Sequence, residues 1–369
     1  MMAGKNGGIM RIVLCVVMIG VLLGFVPVRG AEMNIIAFYD VKPCKTPPAI
    51  DGTLDDPAWE TAGRAMDYYE YFKVSPGPGA LRTEFRMLYD DKGIYLGIIN
   101  YDSNMDKISA KHVTRDNQDL WQDDCAEIYF DPTGTGIGFL KFVVNSLGVQ
   151  ADMKRVDAAI SLANWNGIGW RVAVGKRQGA WVIEAFFPWG DLEKKAAPGD
   201  IWRFCHARYA YTSGAFQGMT WSPGGSYTSP DKFGYLYFGK EGKLNLTEVS
   251  DLMAKTVTPP WSLLDGEDIL VCESSGERKS LRAETMARKE IDSLHEALRR
   301  ADGEVSRLKA AGGSLPGEEL ESVRKEIAAI PEKIPDAMAA IVVLRKTAEL
   351  KHRADAVYWE ARVRQLADL

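Results

Sequence analysis

The chain has 369 residues, of which 46% are hydrophobic and 26% charged, with a formal net charge of −5. That length favours two folded units with ample core-forming residues. The acidic balance offers no basic stripe to neutralise phosphates and so excludes a nucleic-acid partner. Eight of the ten tryptophans (59, 121, 165, 170, 181, 189, 202 and 221) fall between residues 50 and 225, so the two halves of the chain solve different packing problems.

Residues 1–30 read as an export signal. Lys5 and Arg11 precede an unbroken apolar run over residues 12–24, and Val28-Arg29-Gly30 forms a small-residue cleavage site before Ala31. The run through Val28 is close to the shortest stretch that spans a bilayer, which favours cleavage over anchoring. Cys15 follows Ile12-Val13-Leu14 and lacks the small residue a bacterial lipid anchor needs. The expectation is a secreted or periplasmic protein with no stable membrane span after signal cleavage.

The mature chain keeps Cys44, Cys125, Cys205 and Cys272. Their three pairings stay open, and buried free thiols at Cys125 and Cys205 are an equal reading. CxxC, CxxCH and HExxH are absent, and the four histidines are far apart, so neither zinc nor haem has a visible ligand set.

From about residue 48 to 240 short strands follow one another. Residues 82–89 alternate, with Phe85, Met87 and Tyr89 on one face and Arg82, Glu84 and Arg86 on the other. Residues 94–101 are apolar on both faces, as in a central strand. Further strands are expected at 126–130, 139–145, 149–153, 170–174, 181–187, 202–211 and 235–238. Turn signals such as Asp90-Asp91-Lys92-Gly93 and Asp131-Pro132-Thr133-Gly134 separate several of them. The pattern predicts a mainly β fold, an antiparallel β-sandwich of jelly-roll type.

Residues 241–278 read as a mixed connector containing Pro259-Pro260-Trp261. Residues 279–369 are rich in Ala, Glu, Lys, Arg and Leu. One apolar stripe runs through Leu281, Ile291, Leu294, Leu298, Val305 and Leu308, and another through Ile341, Leu344, Leu350, Val357 and Val363. Gly312-Gly313, Pro331 and Pro335 break the joint between them. This predicts an antiparallel α-helical hairpin or coiled coil, serving either as a docking arm for a protein partner or as a self-packed stalk.

Five ordered segments carry a resemblance: Ile50-Asp51-Gly52-Thr53-Leu54-Asp55-Asp56-Pro57-Ala58-Trp59; the strand pair over residues 85–101; residues 121–132 (WQDDCAEIYFDP); residues 142–148 with 181–188; and Trp202-Arg203-Phe204 with Arg208, Trp221-Ser222-Pro223 and Phe233-Gly234. In the first, Asp-Gly suits a tight turn, Asp56 a helix cap and Pro57 a first helical position, with Trp59 sealing an edge. Together, over roughly residues 45–240, they resemble a family 9 carbohydrate-binding module. The domain boundaries expected are therefore 1–30 signal, 31–240 β-sandwich, 241–278 connector and 279–369 helices.

The resemblance implies a sandwich that grips the end of an oligo- or polysaccharide between aromatic rings while charged side chains read its hydroxyls, alongside O-glycosyl hydrolases in carbohydrate catabolism. Trp121, after a polar loop, is the expected stacking platform. Glu127, six residues on, stands where the family places a hydrogen-bonding carboxylate; its structural alternative is an ion pair to Arg155 or another strand arginine. Arg115 and Asn145 are further candidates, as a loop cation and a strand-end amide that could equally close a turn. Trp221 and Tyr227 compete for the second wall. No cofactor is required, although relatives carry structural calcium, for which Asp51, Asp55, Asp56, Asp123 and Asp124 offer oxygens. Cys205 replaces a common family asparagine, which leaves room for a scaffold with a degenerate site. Glycoside hydrolysis would need a carboxylate pair drawn from Asp124, Glu127 and Glu184.

Overall fold

The structure, a computed structural model, describes residues 34–367 apart from residues 67, 74–78, 243, 245, 266–267, 274, 314–317 and 335–336. The expected export segment, residues 1–30, lies outside the described residues.

Strands β1 (Asn34–Ile36), β2 (Phe38–Pro43), β3 (Tyr69–Glu70), β4 (Thr83–Tyr89) and β5 (Gly93–Tyr101) open the chain. A meander follows, made of β6 (Cys125–Asp131), β7 (Phe139–Asn145), β8 (Gln150–Arg155) and β9 (Ser161–Leu162). Then come β10 (Arg171–Arg177), β11 (Ala180–Pro188), β12 (Ile201–Ala210), β13 (Gln217–Thr220) and β14 (Gly234–Phe238). Laterally they run β10-β11-β5-β4-β2-β14-β12-β6-β7-β8-β9, with β13 on β12 and β3 on β13.

This long sheet curls into a sandwich, and its two halves face each other across Phe85, Ile98, Ile183, Phe130, Phe142, Phe204 and Trp221. Most neighbours are antiparallel, but the sheet is mixed rather than strictly antiparallel. β2 pairs parallel with β14 through Phe38–Val41 and parallel with β4 through Lys42 and Pro43. One strand that passes from one half to the other fixes a single chain direction beside both neighbours, which accounts for the departure.

The segment after residue 48 closes the outer face of the β4–β5–β11 half. Gly52 takes a φ of +87°, open to glycine at little cost. Its N–H donates to Glu184 Oε2 at 2.7 Å, and Trp59 Nε1 donates to Glu184 Oε1 at 2.9 Å. Trp59 packs there with Leu54, Leu88, Tyr95 and Val182. Asp56 does not cap the following 3-10 turn (Pro57–Thr61); its carboxylate accepts the Ala49 N–H instead.

The region expected as a connector is structured. It contains α1 (Leu246–Thr256), β15 (Trp261–Asp265) and β16 (Asp268–Cys272), and β17 (Arg278–Arg282) follows. These strands form a second sheet ordered β1-β15-β16-β17, so the N-terminal strand β1 pairs in parallel with β15. Phe38, Tyr235 and Tyr237 of the sandwich share an apolar cluster with Val249, Met253, Trp261 and Leu263.

Three helices end the chain: α2 (Ala283–Ala310), α3 (Glu318–Ala328) and α4 (Ala337–Ala367). Leu281, read as helical, lies on β17, and the stripe begins to pack at Ala283 and Ala287. The two long helices are parallel, not an antiparallel hairpin: Ser293 meets Lys351, Arg300 meets Asp355 and Glu304 meets Gln365. The broken joint contains α3, which returns the chain. Its Val323 packs with Leu294 and Leu350, and its Leu320 with Leu308 and Val357. No helix among the described residues is long and apolar enough to cross a membrane. All four described cysteines are free thiols, with Cys125, Cys205 and Cys272 buried.

Inside the sandwich His206 is fully buried, its Nδ1 paired with the Tyr68 hydroxyl. Burial, with the nearby Arg208 charge, lowers its pKa to about 3. Arg208 is itself buried and paired to Asp102 at 3.1 Å. An unfolded histidine titrates near 6.5, so between about pH 6.5 and 3 the unfolded chain binds the extra proton and stability falls as pH falls. Thermal denaturation of the wild type should show this acid-side loss, with a slope approaching about 1.4 kcal/mol per pH unit from this group. His206→Gln should flatten the slope; an unchanged slope would show that His206 is not its source.

Candidate functional site

β6 is buried on both faces. Ala126, Ile128 and Phe130 point into the sandwich, while Cys125, Glu127 and Tyr129 point outward beneath a cover of Tyr71, Leu120, Tyr209 and Phe233. A carboxylate in such surroundings needs partners. Glu127, 1% exposed, has two: Lys141 Nζ at 2.5 Å from Oε1, and the Tyr129 hydroxyl, which donates to Oε2. The ion-pair partner is thus a lysine on the neighbouring strand, not Arg155. Arg155 instead donates to the Asp157 and Tyr227 carbonyls.

The Glu127–Lys141 pair floors a small depression lined by Trp121, Gln118, Val143, Asp152 and Met153. It encloses about 20 Å³, roughly the room of one water. Burial, and after it the negative charge of Glu127, pushes the Tyr71, Tyr129 and Tyr209 hydroxyls far up, so all three remain neutral hydrogen-bonding groups.

Trp121 stands at the rim, 46% exposed. It lies on a 3-10 turn (Leu120–Gln122) whose Leu120 is buried, so one apolar side chain anchors the turn and the next is turned outward. The Tyr211 hydroxyl donates to the Trp121 carbonyl at 3.0 Å. Below the turn, Asp123 accepts the Lys111 and His112 N–H groups and the Asn145 amide. Burial raises its pKa, but these hydrogen bonds outweigh burial and leave it below the usual carboxylate range. Asp124 takes the Ser109 and Tyr211 N–H groups; there burial wins and the pKa rises.

Tyr227 lies toward the opposite end of β7. Its ring packs on Phe139 at 5.6 Å, and Lys141 Nζ is 5.3 Å from its centre. Phe139, Lys141 and Val143 follow one another on this face of β7, so Tyr227 and Trp121 flank Lys141 from its two sides. Arg115 braces the rim through Asp152 at 2.8 Å and the Gly167 carbonyl at 3.2 Å.

Two candidates are corrected. Trp221 is fully buried against Phe85 and Phe204 in the sandwich core, so it has no face to offer a ligand. Asn145 has committed its whole amide: Oδ1 accepts from Leu147 and Val149, and Nδ2 donates to His112 and Asp123. An amide has no further capacity, so Asn145 closes the turn and holds the Trp121 loop. Lys141, Tyr71 and Tyr209 escaped the sequence reading. Lys141 did leave a signal, as the one charge in the otherwise apolar strand FLKFVVN apart from its terminal amide.

Of the acids a hydrolase would pair, Glu184 serves the other half of the sandwich, Asp124 is engaged by loop N–H groups and Glu127 is paired with Lys141. Among the described residues no group of three or more His, Cys, Asp or Glu is arranged to hold a metal ion. Of the aspartates considered for calcium, Asp51 and Asp55 receive Thr53 and Asp56 receives Ala49.

The chain belongs to the carbohydrate family 9 binding domain-like family, whose model matches residues 50–240. This membership supports a carbohydrate-binding function. No curated protein matches the chain. Solved structures that resemble it include a family 9 carbohydrate-binding module of Caldicellulosiruptor kristjanssonii in complex with cellotriose, with 16% identity over 56% of this chain and 99% of that one and a TM-score of 0.42. The same organism's family 9 module in complex with glucose gives 17%, 56%, 99% and 0.41. A protein of Bacteroides uniformis gives 16%, 55%, 99% and 0.45.

Lys141→Met leaves Glu127 buried without its cation and should cost about 3 kcal/mol of stability, read by chemical denaturation. Combining it with Glu127→Gln removes both charges and should restore most of the loss. A double variant no more stable than Lys141→Met would show that the pair is not what matters.

Proposed function

We propose that this protein is an exported, non-catalytic carbohydrate-binding protein that recognises sugar-chain ends at the depression beside Trp121. The observation that carries the reading is a half-exposed tryptophan ring set beside a buried carboxylate–ammonium pair. The ring covers the C–H face of a pyranose while the charges engage its hydroxyls. Lys141, the more exposed partner, uses one of three ammonium donors on Glu127 and can turn the others to a sugar. Glu127 orients it and keeps unused lone pairs of its own. Tyr227 is the second wall, and family membership supports the ligand class.

Export is supported by the charged, apolar and small-residue pattern of residues 1–30, and it would set the protein among extracellular or periplasmic polysaccharides, alongside the O-glycosyl hydrolases that degrade them. An amino terminus at Ala31 in protein recovered from the cell envelope or medium would bear this out; an intact Met1 would refute it.

A glycan array of the full mature chain, followed by calorimetry, tests the binding role. Trp121→Ala should weaken saccharide binding by roughly ten-fold with the melting temperature unchanged. Glu127→Gln should weaken it by about ten- to a hundred-fold, the worth of a charge-assisted hydrogen bond. Absence of any glycan binding, or binding indifferent to both substitutions, would overturn the reading. Release of new reducing ends would instead make the protein a hydrolase.

A further inference from the structure

Tyr227, on the far side of Lys141 from Trp121, has both of its backbone polar groups pinned. Its N–H donates to the Tyr71 hydroxyl at 3.1 Å, and its carbonyl accepts from Arg155 Nη1 at 2.5 Å. Two cations approach its ring. The Arg155 guanidinium carbon and Lys141 Nζ each stand 5.3 Å from the ring centre, within the range where an aromatic ring attracts positive charge. Arg155 also stands 5.7 Å from the centre of the Phe139 ring.

The negative charge at this wall does not balance the positive. Glu127 neutralises Lys141. The other acids of the neighbourhood are committed: Asp157 accepts the Ala159 and Ile160 N–H groups, Glu193 pairs with Lys154, and Asp152 pairs with Arg115. Among the described residues Arg155 is left with two acceptors, the Asp157 and Tyr227 carbonyls, and no carboxylate. One positive charge therefore stands uncompensated beside the depression, on a chain whose net charge is −5.

Arg155 is half-buried, and a charge taken partly out of water is costly without a counter-charge. Two carbonyl oxygens offset only part of that cost. They also hold the guanidinium in one orientation, so little side-chain freedom is lost when a ligand meets it. Of its five N–H donors two are spent, and the Nη2 amino group is uncommitted. A planar guanidinium matches the paired oxygens of a carboxylate or a sulfate better than it matches a lone hydroxyl.

We propose that Arg155 is a specificity-determining residue of the depression, taking an anionic substituent on the sugar that lies against Tyr227. The ligand class is then an acidic glycan, in which a uronate carboxylate or a sulfate ester supplies the missing counter-charge. This inference rests on the proposed sugar-binding role of the depression.

The test is calorimetry on the full mature chain with matched pairs of glycans. Tetramers of galacturonate and of mannuronate are each compared with their methyl esters, and a carrageenan tetramer with its desulfated form. At least one charged member should bind about ten- to a hundred-fold more tightly than its neutral partner, the range of a charge-assisted hydrogen bond. That preference should shrink as salt is raised. Confinement to the uronates would identify a carboxylate, and confinement to carrageenan a sulfate ester. Arg155→Gln should abolish the preference while leaving affinity for the neutral partner unchanged; Arg155→Lys, which keeps the charge without the fork, should retain part of it. Equal weakening of charged and neutral members by Arg155→Gln would show that Arg155 only clasps Tyr227, and overturns the proposal. Wild-type binding indifferent to charge overturns it as well, and both results leave the depression's role standing. A wild type that binds none of these glycans also overturns the acidic assignment, and only an empty broad glycan array takes the sugar-binding role with it.

Discussion

Every residue of β6 is buried, yet the strand carries Glu127 on the side away from the sandwich core. That placement constrains the outer face of this half of the sandwich. A buried carboxylate must be neutralised and hydrogen-bonded, so β7 supplies Lys141 and β6 itself supplies Tyr129. An outer sheet face that holds such a pair must also be kept from bulk water. Tyr71, Leu120, Tyr209 and Phe233 provide that cover. The depression is the place where the cover stops.

The supports of this cover are polar and rigid. Asp123 and Asp124 accept the Ser109, Lys111 and His112 N–H groups of the loop that leads to Trp121, Asn145 donates to its His112 carbonyl and to Asp123, and Arg115 fastens the same loop to Asp152. Trp121 therefore stands exposed on a turn whose backbone is tied down at several points. In the proposed sugar-binding role, that rigidity would make ordering Trp121 cost less conformational entropy than ordering a mobile loop.

The remainder of the chain is stitched to the sandwich. β1 leaves the sandwich side to pair with β15, and β2 bridges the sandwich halves one residue later. The N-terminal strands thus bind the second sheet to the first, and the three helices follow from β17. Surface ion pairs such as Arg353 with Glu319 and Glu326 lace α3 to α4. Exposed pairs of this kind contribute little each, so the Ala-, Leu- and Val-rich seams carry most of the packing.

The sequence by itself determined the features that local periodicity and composition encode. Alternation marked residues 82–89, apolar runs bounded by turn signals marked further strands between residues 94 and 238, apolar stripes at helical spacing marked the long helices, and five ordered segments marked the family. Trp121 was singled out because a polar loop precedes it, and Glu127 through the family resemblance and as a carboxylate on one strand face with Cys125 and Tyr129. What tertiary structure alone decided were partnerships between distant residues. Lys141 proved to be the partner of Glu127 because β7 pairs with β6 in a register that sets Lys141 opposite Tyr129. Trp221 went to the core because Phe85 and Phe204 of distant strands surround it, and the Asn145 amide, besides closing its own turn, was committed to His112 and Asp123. The long helices turned out parallel because a short helix hidden in a Gly- and Pro-broken joint returns the chain. A periodic pattern states which face of an element is apolar; only the packed neighbours determine what that face meets.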